Sequence, residues 1–240
     1  MMQPYNLGNS KKTEVKQMFG AIAPTYDKLN HRLSFSIDKL WRLRVVNCLK
    51  HLPKSARVLD VATGTADLVI LISKRLSLSV VGTDLTPEML EIGRQKVAAA
   101  QLANRVSLQE ADSENLPFDD ESFDAVTVAF GVRNYENLDA GLSEMCRVMR
   151  KNGRMVILEF SRPQSFPFKQ LYMFYFKHIL PVLGGQVSHD KKAYEYLPAS
   201  VLEFPCGEAF EEHLTRVGLT PVMRKELTFG ISTIYVAEKR

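Results

Sequence analysis

Apolar residues along this chain change their period several times, and each change marks an element. ARVLDVA (56–62) is a continuous apolar run of strand length, and a helical pattern follows over 66–76. LSVVGTD (78–84) reads as a second strand. Thr86-Pro87-Glu88 then opens a helix, with Thr86 at the N-cap and Pro87 at the first helical position, running to about Ala100. RVSLQEAD (105–112) and FDAVTVAF (123–130) are further strands, a helix spans about 137–150, and RMVILEF (154–160) is a fifth strand. Strands alternating with helices predict βαβ units and a mostly parallel sheet covered on both faces. Ahead of this block, 13–50 reads as helices broken near Pro24 and the polar DKLNH segment, and polar residues 1–12 are expected to be loose. After Phe160 the pattern becomes helical and aromatic-rich over 163–217. LTPVMRKE and ISTIYVAE close the chain, and this pair is expected to complete the sheet as an antiparallel hairpin. No repeat or low-complexity linker divides the chain, so 1–240 is read as one domain.

Composition narrows the classes. Hydrophobic residues make up 45% and charged residues 24% of 240, an ordinary globular balance. A net charge of +4 over this length does not point to nucleic acid, though it suits an anionic membrane surface. Cys48, Cys146 and Cys206 lie far apart and make neither a CxxC pair nor a zinc-site cluster, so no metal is expected and a reducing cytoplasm is. No secretory signal is read at the N-terminus. No uncharged apolar run reaches the ~18 residues of a membrane span.

The sharpest local signal is VLDVATGTAD (58–67), a strand entering a small-residue turn and then a helix. Where a dinucleotide fold would want G-x-G-x-x-G, the alternate positions hold Ala62, Gly64 and Ala66. Small residues there let backbone pass close to a ligand, or simply make a tight turn. The next strand ends in Asp84, twenty residues after Gly64, suited to accept from two ribose hydroxyls or to stand as a solvated strand-end acid. The third ends in Ala111-Asp112-Ser113, able to read an adenine amino group, with Leu116 and Phe118 to wall the ring. Three consecutive strand ends with ligand-capable groups match the rule that open α/β sheets bind ligands at the carboxyl ends of their strands.

This pattern resembles the Rossmann-like class I S-adenosylmethionine-dependent methyltransferases, which implies a seven-stranded sheet and S-adenosylmethionine as cofactor. By that resemblance Asp60, Gly64 and Thr65 line the methionine side, Asp84 holds the ribose, and Asp112 with Ser113 meets adenine. YDKLNHRLSFSIDKLW (26–41), AFGVRN (129–134), RVMRKNGRMVILEFS (147–161) and HILPVLGGQVSHDKKAYEYL (178–197) are similar to the ubiquinone and menaquinone C-methyltransferases, over nearly the whole chain from about Val15. Leu29 replaces a usual methionine, Asp38 a common histidine, Lys151-Asn152 a Pro-Gly, and Ala129 the serine of some members. No histidine role therefore carries over to position 38, and Ala129 has no side-chain hydrogen bond to give.

The resemblance implies methylation of a ring carbon of a prenylated quinol, with demethylmenaquinol as the leading acceptor and a ubiquinone-pathway benzoquinol as the alternative. Arg133 is the first choice for stabilising the phenolate, because its guanidinium keeps its charge. The plainer reading pairs Arg133 with Asp60 or Glu159 as a loop brace. Asn134 is placed to orient a hydroxyl or water. For proton removal, His189 and Asp190 in the polar segment after Gly184-Gly185 are the candidates, Asp190 the one retained, against ordinary exposed loop residues. Tyr26, Asp27 and Asn30 form a lid over the cofactor or cap a helix break, and Tyr194 and Tyr196 line the quinol pocket or merely pack.

FPFKQLYMFYF (166–176) holds six of the 22 aromatic residues, with Lys169 and Lys177 interrupting or flanking them. This suits a membrane interface or a prenyl-tail tunnel, with peripheral membrane contact through 166–185, and equally a helix packed on the sheet. Two rivals remain: a methyltransferase for another lipid-like acceptor, and a non-catalytic cofactor-binding subunit of a quinone-synthesis assembly. Oligomerisation stays open.

Overall fold

A computed structural model describes residues 2–175 and 191–240. Seven strands form one sheet: β1 (Arg57–Val61), β2 (Ser79–Asp84), β3 (Val106–Glu110), β4 (Phe123–Ala129), β5 (Met149–Phe160), β6 (Leu219–Leu227) and β7 (Ser232–Lys239). Their order is β3-β2-β1-β4-β5-β7-β6. The first five are parallel to one another, and β7 runs antiparallel to both β5 and β6. The terminal hairpin therefore closes the sheet as the chain pattern predicts. Strand order reverses between β1 and β4, which opens a crevice at their carboxyl ends.

Alternation along each strand builds two cores. Val58, Val80 and Val156 pack with Trp41, Val45 and Ile72 on one face, while Leu59, Val126 and Ile157 pack with Leu142, Met145 and Phe210 on the other. The covering helices are α1 (Lys11–Leu33), α2 (Ile37–Cys48), α3 (Asp67–Leu76), α4 (Pro87–Ala99), α5 (Leu138–Val148), α6 (Phe168–Phe174), α7 (Lys191–Glu203) and α8 (Glu208–Arg216).

Two expectations at the N-terminus are corrected. α1 does not break at Pro24; it continues to Leu33. A helix-interior proline costs about 3 kcal/mol. Met18, Ile22, Ala23 and Leu29 offset this by packing with Met89, Ala193 and Tyr196. The break falls at Ser34-Phe35-Ser36 instead, where Phe35 and Ser36 take φ of 51° and 59°. Nor are residues 2–9 loose. The buried Glu14 carboxylate accepts from the backbone N–H of Tyr5 (2.7 Å), Asn6 (2.9 Å) and Leu7 (2.6 Å), folding this strap onto α1.

β5 also starts earlier than the apolar run suggests. Met149 pairs with Phe123 and Arg154 with Ala125, so Arg150–Gly153 bulge out of register, with Asn152 at φ 61°.

Candidate active site

Two cavities meet at the carboxyl ends of the strands. The first, about 90 Å³, lies over β1, β2 and β3 and is lined by Ala62, Gly64, Asp84, Asp112, Ser113 and Asn134 among others. The β1–α3 turn makes its floor. Ala62, Gly64 and Ala66 all adopt left-handed backbone, at φ 54°, 56° and 70°. The three positions where glycine is easiest are thus left-handed, and two carry methyl groups at a cost of about 1–2 kcal/mol each. Asp84 stabilises the turn: its carboxylate accepts from Gly64 N at 2.8 Å and Thr86 N at 2.9 Å. Burial nevertheless pushes its carboxyl above the ordinary range. Gly131 completes the floor, because a Cβ there would stand 2.6 Å from the Cβ of Ala62.

Gly64, Asp84, Asp112 and Ser113 come together as the chain pattern predicts. Asp60 and Thr65 do not reach this cavity. Asp60 is buried beneath the turn, where the Thr127 hydroxyl donates to it, and burial pushes its carboxyl up to about 6. With its neighbours left-handed, Thr65 projects away from the cleft and donates to Asp27. Lys96 bridges to Thr65, Asp27 and Asp67. Asp27 therefore ties α1 to the β1–α3 turn and to α4, and does not cap a helix break. Leu116 and Phe118 belong to the core around Phe123, not to a wall of the cleft. Leu85, Met89 and Ala111 supply that wall instead.

The roof is α1, through Lys12, Val15, Lys16 and Phe19. Lys12 Nζ donates to Asp112 Oδ2 at 2.6 Å and lies 3.2 Å from Glu114 Oε2. Burial acts to lower the Lys12 ammonium, and these two carboxylates outweigh it and raise it. Lys16 pairs with Glu110 at 2.7 Å. The sequence reading missed this latch, although Val15, Met18, Phe19 and Ile22 recur at helical spacing.

The second cavity, about 320 Å³, is mostly apolar and runs from Met18 and Ile22 past Trp41, Phe130 and Phe160 to Tyr172 and Tyr196. Its size suits a drug-sized ring system. Phe19, Tyr26 and Phe130 line both cavities, so a group held in one meets a group held in the other there. Asn30 and Asp38 also face the larger cavity. Asp38 accepts from Ser34 Oγ at 2.7 Å, from Arg42 and from His31 Nδ1 at 2.8 Å. Burial acts to raise its carboxyl, but the Ser34 hydroxyl, the Arg42 guanidinium and the His31 ring hold it below the ordinary value.

A 3-10 turn, Val132–Asn134, splits the two residues predicted to act together. Arg133 lines the large apolar cavity, whereas Asn134 faces the small one with its buried Oδ1 unpartnered among the described residues. Arg133 Nη1 donates to Glu159 Oε1 at 2.8 Å and to the carbonyl of Phe130, and the guanidinium lies 5.3 Å from the ring centre of Phe160. Burial pushes the Glu159 carboxyl up, against the opposing pull of Arg133. The brace reading with Glu159 is thus real, and yet Nε of Arg133 has no partner among the described residues. His189 and Asp190 lie outside the described residues, as does the Tyr194 side chain.

The chain is similar throughout to known proteins. The model of the ubiE/COQ5 methyltransferase family matches residues 7–239. A demethylmenaquinone methyltransferase of Bacteroides fragilis is 45% identical over 239 residues, covering 99% of this chain and 97% of that one. A ubiquinone/menaquinone biosynthesis C-methyltransferase UbiE of Geotalea daltonii is 48% identical, covering 95% and 97%. Among solved structures, the [4+2]-cyclase SpnF superposes with a TM-score of 0.71 at 15% identity, covering 95% and 96%. A SAM dependent methyltransferase from Aquifex aeolicus does so at 0.60 and 17%, covering 82% and 88%. At such identities the structures share the fold alone.

Proposed function

We propose that this chain, which belongs to the ubiE/COQ5 methyltransferase family, transfers a methyl group from S-adenosylmethionine to a ring carbon of a prenylated quinol, with demethylmenaquinol as its acceptor. The observation that carries this reading is the meeting of a small cavity edged by the carboxylates of Asp84 and Asp112 with a large apolar one at Phe19, Tyr26 and Phe130. The sulfonium of the cofactor supplies an already activated methyl group. What remains for the protein is to position the two reactants, worth about 7–11 kcal/mol when done well, and to stabilise a phenolate.

Asp84 would take the ribose hydroxyls with the lone pairs left by Gly64 and Thr86, Asp112 and Ser113 would hold adenine, and Gly64 would let the methionine portion approach the backbone. Asn134 Oδ1 offers an acceptor on the same side. Asp60 and Thr65 support the turn from behind. Arg133 lines the acceptor cavity beside the junction, where its guanidinium charge stabilises the phenolate next to the attacking carbon. Asp190, with His189, remains the candidate for removing protons. One sheet carries both cavities, so the whole chain acts as a single catalytic unit.

The mouth of the acceptor cavity favours a bilayer as the source of substrate. Phe35 and Leu171 line the cavity and are 80% and 60% exposed, and Phe229 stacks on the lining residue Phe168 at 3.9 Å. Exposed Lys169 stands beside them.

The direct test is transfer of radiolabelled methyl from S-adenosylmethionine by purified chain. Label in menaquinol supports the reading. Label only in a benzoquinol product changes the acceptor, and cofactor binding with no transfer to either makes the chain a binding subunit. Arg133 needs a paired design. Removing it alone strands buried Glu159 and should cost about 3–5 kcal/mol of stability. Arg133→Met with Glu159→Gln should regain most of that stability and keep cofactor affinity, yet lose most single-turnover transfer. Normal transfer in the paired variant would reduce Arg133 to a brace.

A further inference from the structure

Tyr196 sits on α7 with its ring in the lid core beside Met18 and Ile22, and it lines the acceptor cavity. Only 4% of it is exposed, and its hydroxyl has no hydrogen-bond partner among the described residues. A phenol in this place without a partner costs free energy that phenylalanine would not. The apolar neighbours need only the ring. Arg133 Nε is a second buried donor without a partner on the same cavity, on a turn that α7 contacts. The two donors differ in depth. Arg133 adjoins Asn134, which lines the cofactor cavity, and holds the carbonyl of Phe130, which lines both. Tyr196 lines the acceptor cavity alone. Burial pushes its hydroxyl up to about 12, against the pull of the Arg133 charge, so it keeps its proton at neutral pH.

We propose that the Tyr196 hydroxyl donates a hydrogen bond to the acceptor's ring oxygen remote from the methylated carbon, and that it thereby selects rings bearing two oxygens para to one another. This rests on the quinol reading above. Arg133 serves the oxygen beside the reacting carbon, and Tyr196 holds the far side of the ring, fixing which edge faces the methyl donor. A ring without the remote oxygen would leave the Tyr196 hydroxyl as it stands in the free protein and so would forgo that hydrogen bond.

The experiment uses the full chain and its Tyr196→Phe variant with two acceptors: a short-chain prenylated demethylnaphthoquinol kept reduced, and the matching 1-naphthol that lacks only the remote hydroxyl. Tyr196→Phe should lower kcat/KM on the quinol about tenfold, the size of one buried hydrogen bond, and should leave the 1-naphthol unchanged or improved. Melting of the ligand-free variant should be unchanged or raised, since a buried hydroxyl without a partner among the described residues has been removed. An equal loss on both acceptors, no loss on the quinol, or a lowered melting temperature would each overturn the assignment. If the unsubstituted chain methylates neither acceptor while binding S-adenosylmethionine, the quinol reading itself falls, and the role of Tyr196 with it.

Discussion

Asp60 stands at the end of the strand signal that first marked the cofactor turn, and its burial gives it a measurable signature. The folded state keeps the proton on this carboxyl up to about 6, whereas its ordinary value is 3.8. Between those values the folded state binds more protons than the unfolded one, so stability contributed by Asp60 falls as pH rises through the window and is level above it. Asp60→Asn keeps an acceptor for Thr127 and cannot titrate. The melting advantage of the variant over the parent should therefore grow from pH 4 to pH 6, and parallel profiles would refute the assignment. Several residue positions were legible from strand-end position alone: Gly64, Asp84, Asp112 and Ser113 face one cleft. The placement of Asp60 and Thr65 was not: Asp60 is still within β1 and meets Thr127 of the neighbouring strand, and spacing fixes Thr65's place in the turn but not the side to which left-handed Gly64 and Ala66 rotate it. The same limit separates Arg133 from Asn134, adjacent in sequence and directed into different cavities by one 3-10 turn.

At the level of elements, α1 is the part most altered by tertiary context. Its proline reads as a stop, and packing on α4 and α7 carries the helix through it. The strap of residues 2–9 shows the same principle in polar form, since Glu14 gathers three backbone amides that no local pattern announces. Burial alone would raise the Glu14 carboxyl, but the amides of Tyr5, Leu7 and Asn6 outweigh it and hold it below its ordinary 4.5. A depressed carboxyl contributes stability above its unfolded value that is lost as pH falls through its folded value. Hydrogen exchange should find the amides of Tyr5, Asn6 and Leu7 protected at neutral pH and released together in acid below 4.5. Glu14→Ala should release them at every pH. Protection that survives this substitution would mean that the strap is held by other contacts, such as Met2 N on Glu203.

Over the whole molecule, the acceptor cavity opens where apolar side chains are most exposed. Phe35 and Phe229 both sit at left-handed backbone, φ 51° and 58°, and are 80% and 63% exposed. Each combines backbone strain with apolar exposure in water, two costs that burial in lipid would partly offset. Among the described residues no helix is long and apolar enough to cross a membrane. Insertion of a phenyl ring is worth about 1.5–3 kcal/mol. Phe35→Ser with Phe229→Ser should therefore weaken sedimentation with anionic vesicles by at least tenfold. It should slow methylation of a long-chain quinol in those vesicles and spare a short-chain quinol in solution. Equal slowing of both acceptors would mean that these rings act on the acceptor within the cavity and not on a lipid surface. Of the predicted contact segment 166–185, residues 176–185 lie outside the described residues.

The sequence by itself determined the sheet, its parallel and antiparallel parts, and the sheet edge at which both cavities open. Those follow from apolar periodicity and from small or acidic residues at strand ends, which are local properties of the chain. Tertiary structure decided which side chains share a cavity. The lid latch from Lys12 to Asp112 joins residues a hundred positions apart, Arg133 finds Glu159 across neighbouring strand ends, and Phe19, Tyr26 and Phe130 meet only when α1 lies over the sheet. Periodicity places a residue on a face of its own element. Which other element covers that face depends on long-range packing and on the cost of burying each polar group without a partner.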